Sequence, residues 1–253
     1  MGIIVAVIAS ALCAVLYVRM VKREKPERMP KKQSRTPVIV GIFAPFLSTI
    51  LTLLISLIIK TLLSESVTDA LRSNWIIASH FKSFFAAGMT EELVKFLLFL
   101  VLYKSLKPKN VYEVAVMVAG IGFGFTVLEE IIYGGGSAIA SLMRLPTFAM
   151  HMVIGLVMGI FLGLAYYKKQ KGESSGIYYF LGLFLPILWH TVYDASTVSN
   201  VAFAAEDEYV QFQGLLFGLA VVVISTVLQF VLLIVFKVKT EKYCGMALRE
   251  NEA

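Results

Sequence analysis

Charge is what this sequence has least of. Only 16% of its 253 residues are Asp, Glu, Lys or Arg, against 58% hydrophobic, where soluble domains carry about 25% charged residues. So little charge cannot cover a large water-facing surface, which excludes a sizeable soluble domain. The mean hydropathy of +0.79 points the same way. Cysteine is scarce too: Cys13 lies in an apolar stretch and Cys244 in the C-terminal tail, so neither a disulfide nor a thiolate metal site is expected. The zinc signature His-Glu-x-x-His is absent, and no serine sits in a nucleophile motif. Gly120, Gly122 and Gly124 follow no strand, so they make no phosphate loop. No internal repeat is evident.

What the chain does have is long apolar runs. A spanning helix takes about 20 mostly apolar residues, and seven stretches qualify: 2–19, 37–60, 82–103, 112–133, 146–167, 177–199 and 211–236. They predict an all-α polytopic bundle of about seven transmembrane helices. Residues 1–36 read as an N-terminal membrane helix followed by a basic cytoplasmic linker, and 37–253 as one membrane-embedded domain with its core at about 80–200. The first helix is expected to be retained, because its basic residues follow the apolar run, the reverse of a signal peptide.

Lys and Arg orient the bundle. Residues 19–36 hold eight of them, 104–109 three, 168–171 three and the tail from Lys237 onward four, while the other side has Lys60, Arg72, Lys82 and Arg144. Basic residues favour the cytoplasmic face, so the N-terminus is expected outside and the C-terminus inside. The same bias explains the net charge of +6 through contact with the anionic lipid bilayer, and no nucleic acid is called for. Residues 24–36 read as a polar linker. Residues 64–80 read as an external loop, with Trp75 at the interface and His80 in solvent. Glu206, Asp207 and Glu208 read as a solvated external cluster.

Against this background the ionisable groups inside apolar stretches stand out: Glu91, Glu92, Lys95, Glu129, Glu130, His151, His190 and Asp194. A charge at the bilayer centre costs about 2.5–3.5 kcal/mol on insertion scales, so these groups are expected to pack against each other, a metal or trapped water. Glu91 and Lys95 are four apart and share a helix face, with Glu92 turned about 100° away. Phe125 and Glu129 have the same spacing, and Glu130 is expected at the outer interface, inert. His151 heads a stripe of Gly155, Gly159 and Gly163, of the kind that lets helices approach closely, so it should face the bundle interior. His190 and Asp194 share a face after Pro186, and a carboxylate beside an imidazole fixes its orientation. On the span boundaries above, Glu91, Glu129, His151 and His190 all fall in the outer half. Carboxylates activate water as general bases, and histidines stabilise an oxyanion or bind a metal that does so. Such groups therefore suit hydrolysis, although membrane carboxylates also form proton relays.

The three spacings Glu91-Glu92-x-x-Lys95, Phe125-x-x-x-Glu129 and His190-x-x-x-Asp194, in this order on successive spans, resemble the PrsW family of intramembrane proteases. The resemblance covers roughly residues 80–200. It implies a multi-pass protease of the bacterial plasma membrane, cleaving a single-pass membrane protein, an anti-sigma factor in stress signalling, near its extracytoplasmic side. On that reading Glu91 or Glu92 activates water and Glu129 assists or binds. His190 and His151 stabilise the tetrahedral intermediate, Asp194 orients His190, Lys95 balances charge and Phe125 supports. Glu92, Glu129, His151 and His190 are the expected ligands should a divalent metal such as zinc be held; a metal-free glutamate mechanism fits as well. The related CAAX prenyl proteases carry Arg, His and Asn where this chain has Lys95, Glu129 and Asp194, which weighs against a prenylated substrate. A proton or cation transporter is the alternative from another class.

Overall fold

A computed structural model describes residues 2–24, 28–134 and 144–248. The regular elements among them are helical, and the β contact is an isolated antiparallel bridge between Asn110 and Ala247. In chain order they are α1 (Gly2–Arg23), α2 (Lys31–Leu62), α3 (Glu65–Arg72), α4 (Trp75–Ser83), a π-helical turn (Phe84–Gly88), α5 (Met89–Leu106) and α6 (Val111–Gly134). A 3₁₀ turn (Leu145–Thr147) then leads to α7 (Met150–Gln170) and α8 (Gly176–Ser196). A second 3₁₀ turn (Val201–Ala204) precedes α9 (Glu208–Val238) and α10 (Thr240–Cys244).

Six of these helical stretches are long and apolar enough to cross a membrane; they contain α1, α2, α6, α7, α8 and α9. The remaining expected span, 82–103, is helical but holds Lys82, Glu91, Glu92 and Lys95, which make it too polar to qualify on composition. It is part of an unbroken helical run from Trp75 to Leu106, longer than a bilayer requires. The protein is a polytopic helical bundle.

Helix α6 is the hub, packed against α7, α2 and α1. Its apolar window is 83% buried within the bundle, whereas that of α2 is 17% buried. The sequence explains the difference. Residues 114–125 are apolar on every face, and a helix hydrophobic all round belongs inside, while α2 turns Phe43, Ile50, Leu53 and Leu57 outward. Close approach needs glycine at two points. A Cβ on Gly122 would lie 2.1 Å from the carbonyl oxygen of His151, and one on Gly88 2.1 Å from Thr191 Oγ1. The glycine stripe of α7 faces α6 as its spacing predicts.

Three expectations change. Helix α2 starts at Lys31, not at 37, so much of the linker is helical; its first turn is anchored where Gln33 Nε2 donates to the Leu106 carbonyl at 2.8 Å. Residues 25–27 of that linker lie outside the described residues. The expected loop 64–80 is instead two helices, because Ser64 caps α3 and Asn74 Oδ1 caps α4 by accepting from the Ile76 and Ile77 amides. His80 is partly buried rather than fully solvated: Nδ1 lies 2.8 Å from the Ile76 carbonyl, and its ring stands 5.9 Å from that of Phe217.

Candidate functional site

The site is assembled where four helices meet at one end of the bundle. At the π turn, the Met89 amide reaches back to the Phe84 carbonyl. Such turns insert an extra residue per turn and recur at functional sites; here the turn sits directly before Glu91 and Glu92. Ser83 Oγ donates to the Thr191 carbonyl at 2.8 Å, so α8 is held against this turn with the register that brings His190 to the glutamates.

Lys95 is at the centre and fully buried, as is Glu92. Its ammonium donates to Glu92 Oε1 at 2.7 Å, contacts His151 Nδ1 at 3.1 Å, and lies 4.2 Å above the Phe125 ring. Glu91 Oε2 is further off, at 3.9 Å. Glu92 Oε1 also meets His190 Nδ1 at 2.8 Å, and the other nitrogen of that ring, Nε2, faces Glu91 Oε2 at 3.7 Å and Asp194 Oδ2 at 3.8 Å. His151 Nε2 meets Glu129 Oε2 at 2.5 Å, and the two imidazole rings stand 4.9 Å apart. From the segment before α7, Arg144 reaches Glu129 at 3.0 Å and Glu130 at 3.2 Å. A cavity of about 10 Å³ bordered by Glu129, Arg144, His151 and Asp194 has room for roughly one water molecule.

The residues singled out in the sequence therefore come together, but with different partners. Glu92, three residues before Lys95, makes the tight ion pair, where the four-residue spacing favoured Glu91. His190 is held through Nδ1 by Glu92 from the neighbouring helix, and Asp194 lies beyond hydrogen-bond distance of Nε2. Spacing along one helix cannot see a carboxylate arriving from another. Glu130 is not inert at the interface but buried and bound by Arg144. Arg144 itself was legible only as one of the few basic residues on the outer side.

Charge balance limits what the site can be. Five carboxyls (Glu91, Glu92, Glu129, Glu130, Asp194) meet two fixed cations, Lys95 and Arg144. Buried charge of one sign is costly unless paired, so the excess calls for protons, imidazolium or a bound cation. Glu91, His151 and His190 each offer a ligand atom, all within 4.8 Å of one another. A carboxylate with two imidazoles is a donor set of catalytic zinc sites, and Glu91 Oε2 is buried with no hydrogen-bond partner. The donor set therefore fits a divalent metal. It shares His151 and His190 with the expected ligands and has Glu91 in place of Glu92 and Glu129. An ammonium only donates, so the contact from Lys95 leaves the His151 proton on Nε2, directed at Glu129; a cation at that nitrogen would take the place of Glu129.

Comparisons with known proteins point to one family. A family model described as "PrsW family intramembrane metalloprotease" matches residues 36–229, reaching well beyond the three motifs into α2 and α9. "Protease PrsW" of Bacillus subtilis (strain 168) is 34% identical over 119 residues, 46% of this chain and 54% of that protein. "Protease PrsW" of Shouchella clausii (strain KSM-K16) is 35% identical over 118 residues, 45% and 53% of the two chains. The chain thus spans about half the length of the curated relatives it matches. No solved structure matches it.

Proposed function

We propose a function from one premise: the chain belongs to the PrsW family of intramembrane metalloproteases, whose model covers residues 36–229, and it is a multi-pass protein of the cell membrane. The reading is an endopeptidase that cleaves a single-pass membrane protein near its extracytoplasmic side. The observation that carries it is the convergence of Glu91, Glu92, Lys95, Glu129, His151 and His190 from four helices onto one buried centre.

Glu91 is assigned as the water-activating base. Glu92 is fully buried and held through Oε1 by Lys95 and His190, whereas the Glu91 side chain keeps 15% exposure and its Oε2 faces His190 Nε2 at 3.7 Å. In this scheme the proton taken from water by Glu91 passes to the leaving amine when the C–N bond breaks. His190, oriented by Glu92, stabilises the developing oxyanion. Glu129 and Arg144 hold His151 beside it. A divalent metal held by Glu91, His151 and His190 would supply Lewis-acid polarisation of the scissile carbonyl.

The N-out, C-in orientation rests on the distribution of Lys and Arg and places this centre at the outer side. The resemblance adds an anti-sigma factor as substrate and a bacterial stress response as the setting. A transport pathway is disfavoured by α6, where residues 114–125 are apolar and extend over roughly 18 Å at 1.5 Å per residue.

The test is cleavage of a single-pass membrane substrate by the purified protein in liposomes. Glu91→Gln, Glu92→Gln and His190→Gln should each lose about 10²–10⁴-fold in rate, the range for general acid–base groups. Full activity in all three would end the proposal. Metal analysis of active protein, paired with chelator inhibition, separates Glu91 as ligand from Glu91 as base.

A further inference from the structure

The end of the bundle that carries the glutamate–histidine centre has few basic residues, and most of them gather in one place. Of the four predicted on that side, Arg144 is bound to Glu129 and Glu130. The other three, Lys60, Arg72 and Lys82, line a single cavity of about 780 Å³ between the end of α2, α3 and the α4–π turn. Asp69 is the acidic residue among its walls. The three cations are exposed, and among the described residues none of them forms an ion pair. Lys and Arg are disfavoured on the outer side of a membrane protein, so a cluster of three facing one space is a feature to be explained.

The surroundings indicate the occupant. Helix α3 is only eight residues long, too short to span, and lies at the level where α2 ends. Directly along α2 from Lys60, Leu57 and Leu53 stand three and seven residues earlier on the same face, and both are largely exposed. The cavity is thus cationic at its rim, with a bare apolar track on the helix beside it. That combination fits an amphiphile with an anionic head and does not fit a free anion.

We propose that this cavity binds the headgroup of an anionic glycerophospholipid, with Lys60, Arg72 and Lys82 around the phosphodiester and an acyl chain along Leu57 and Leu53. The site has a route to the centre already described. Phe85 and Ala86 of the π turn form part of its wall, and Thr52 Oγ1 of α2 donates to the Ala86 carbonyl at 3.0 Å and to Thr90 Oγ1 at 3.1 Å. A seated headgroup therefore braces the turn that sets Glu91 and Glu92. The proposal does not depend on what reaction those residues perform.

The test uses the full chain purified in neutral detergent and stripped of lipid. Phosphatidylglycerol and phosphatidylcholine with identical acyl chains are titrated, and bound lipid is counted by native mass spectrometry. The expected result is one retained phosphatidylglycerol per chain and no comparable retention of phosphatidylcholine. The triple variant K60Q/R72Q/K82Q should bind roughly a hundredfold more weakly, as loss of three interfacial cations implies, while melting as the parent does without lipid. Each single variant should lose roughly fivefold on the same basis, which keeps the test open if the triple variant fails to fold. Glycerol phosphate at matched concentration should not displace the lipid. Equal retention of the two lipids, undiminished binding in the variants, or displacement by glycerol phosphate or by an acidic peptide would each overturn the proposal.

Discussion

Helix α6 carries a buried polar cluster at each end, and the two are built differently. At its start, Glu113 accepts from the Lys109 amide at 2.5 Å, while its own amide donates to Asn110 Oδ1 at 2.8 Å. Asn110 Nδ2 in turn donates to Glu24 Oε1 at 2.7 Å. The returning tail closes this end, with the Leu248 amide donating to the Lys109 carbonyl at 2.7 Å. Around Asn110, then, the carboxylates are met by an amide side chain and backbone groups, the means by which proteins tie segments together. At the other end of α6, Glu129 and Glu130 face Arg144, and Glu129 leads through His151 to Lys95, Glu92 and His190. Both clusters are buried, so burial does not distinguish a fastening from the proposed reaction centre. The difference is that one is held by an amide side chain and backbone groups, whereas the other links carboxylates through two imidazoles to Lys95 and Arg144.

The sharpest break in that contrast is Glu92→Ala. It removes the close carboxylate from fully buried Lys95 and the partner of His190 together. Breaking a buried ion pair costs about 3–5 kcal/mol, so the thermal midpoint should fall steeply and cleavage should vanish. A variant as stable as the parent would show that Lys95 has no need of Glu92. Next comes Arg144→Gln, which leaves two buried glutamates without their guanidinium. By analogy with groups that orient catalytic ligands, turnover should drop roughly 10–100-fold. Arg144→Lys should recover only part of this, because a point charge cannot serve Glu129 and Glu130 in a fork. Equal turnover in parent and Gln variant would remove Arg144 from the centre.

The smallest effect belongs to the fastening. Burial pushes the Glu24 carboxyl up to about 7, and neighbouring Glu113 adds to this against the opposing hydrogen bond from Asn110. The folded state therefore binds a proton that the unfolded chain releases nearer 4.5. The stability from protonated Glu24 is complete below about 4.5 and is lost as pH rises through about 7. Glu24→Gln should flatten the melting temperature across that window and leave cleavage at any one pH unchanged. A pH profile identical to that of the parent would contradict the assignment.

Much of this was legible in the sequence, for particular reasons. The apolar runs of α1, α2, α6, α7, α8 and α9 are long enough to declare themselves, and charge inside such runs is rare enough to mark Glu91, Glu92, Glu129, His151, His190 and Asp194. The glycine stripe of α7 predicted that His151 faces inward, and it does. What stayed hidden is what neighbours decide. Spacing on α8 pairs His190 with Asp194, but the carboxylate that holds it comes from α5. Ser64 and Asn74 looked like loop residues because the residues that favour turns also cap helices. Arg144 looked like a loop cation because its two acidic partners are on α6.

The central claim is that Glu92 and His190 act as one unit, and non-additivity tests it most directly. Cleavage rates would be measured for Glu92→Gln, His190→Gln and the double variant under identical conditions. Residues that act together show grossly non-additive losses, so the double variant should be about as slow as the slower single one. Losses that multiply, or single variants that cleave at the parental rate, would contradict the account.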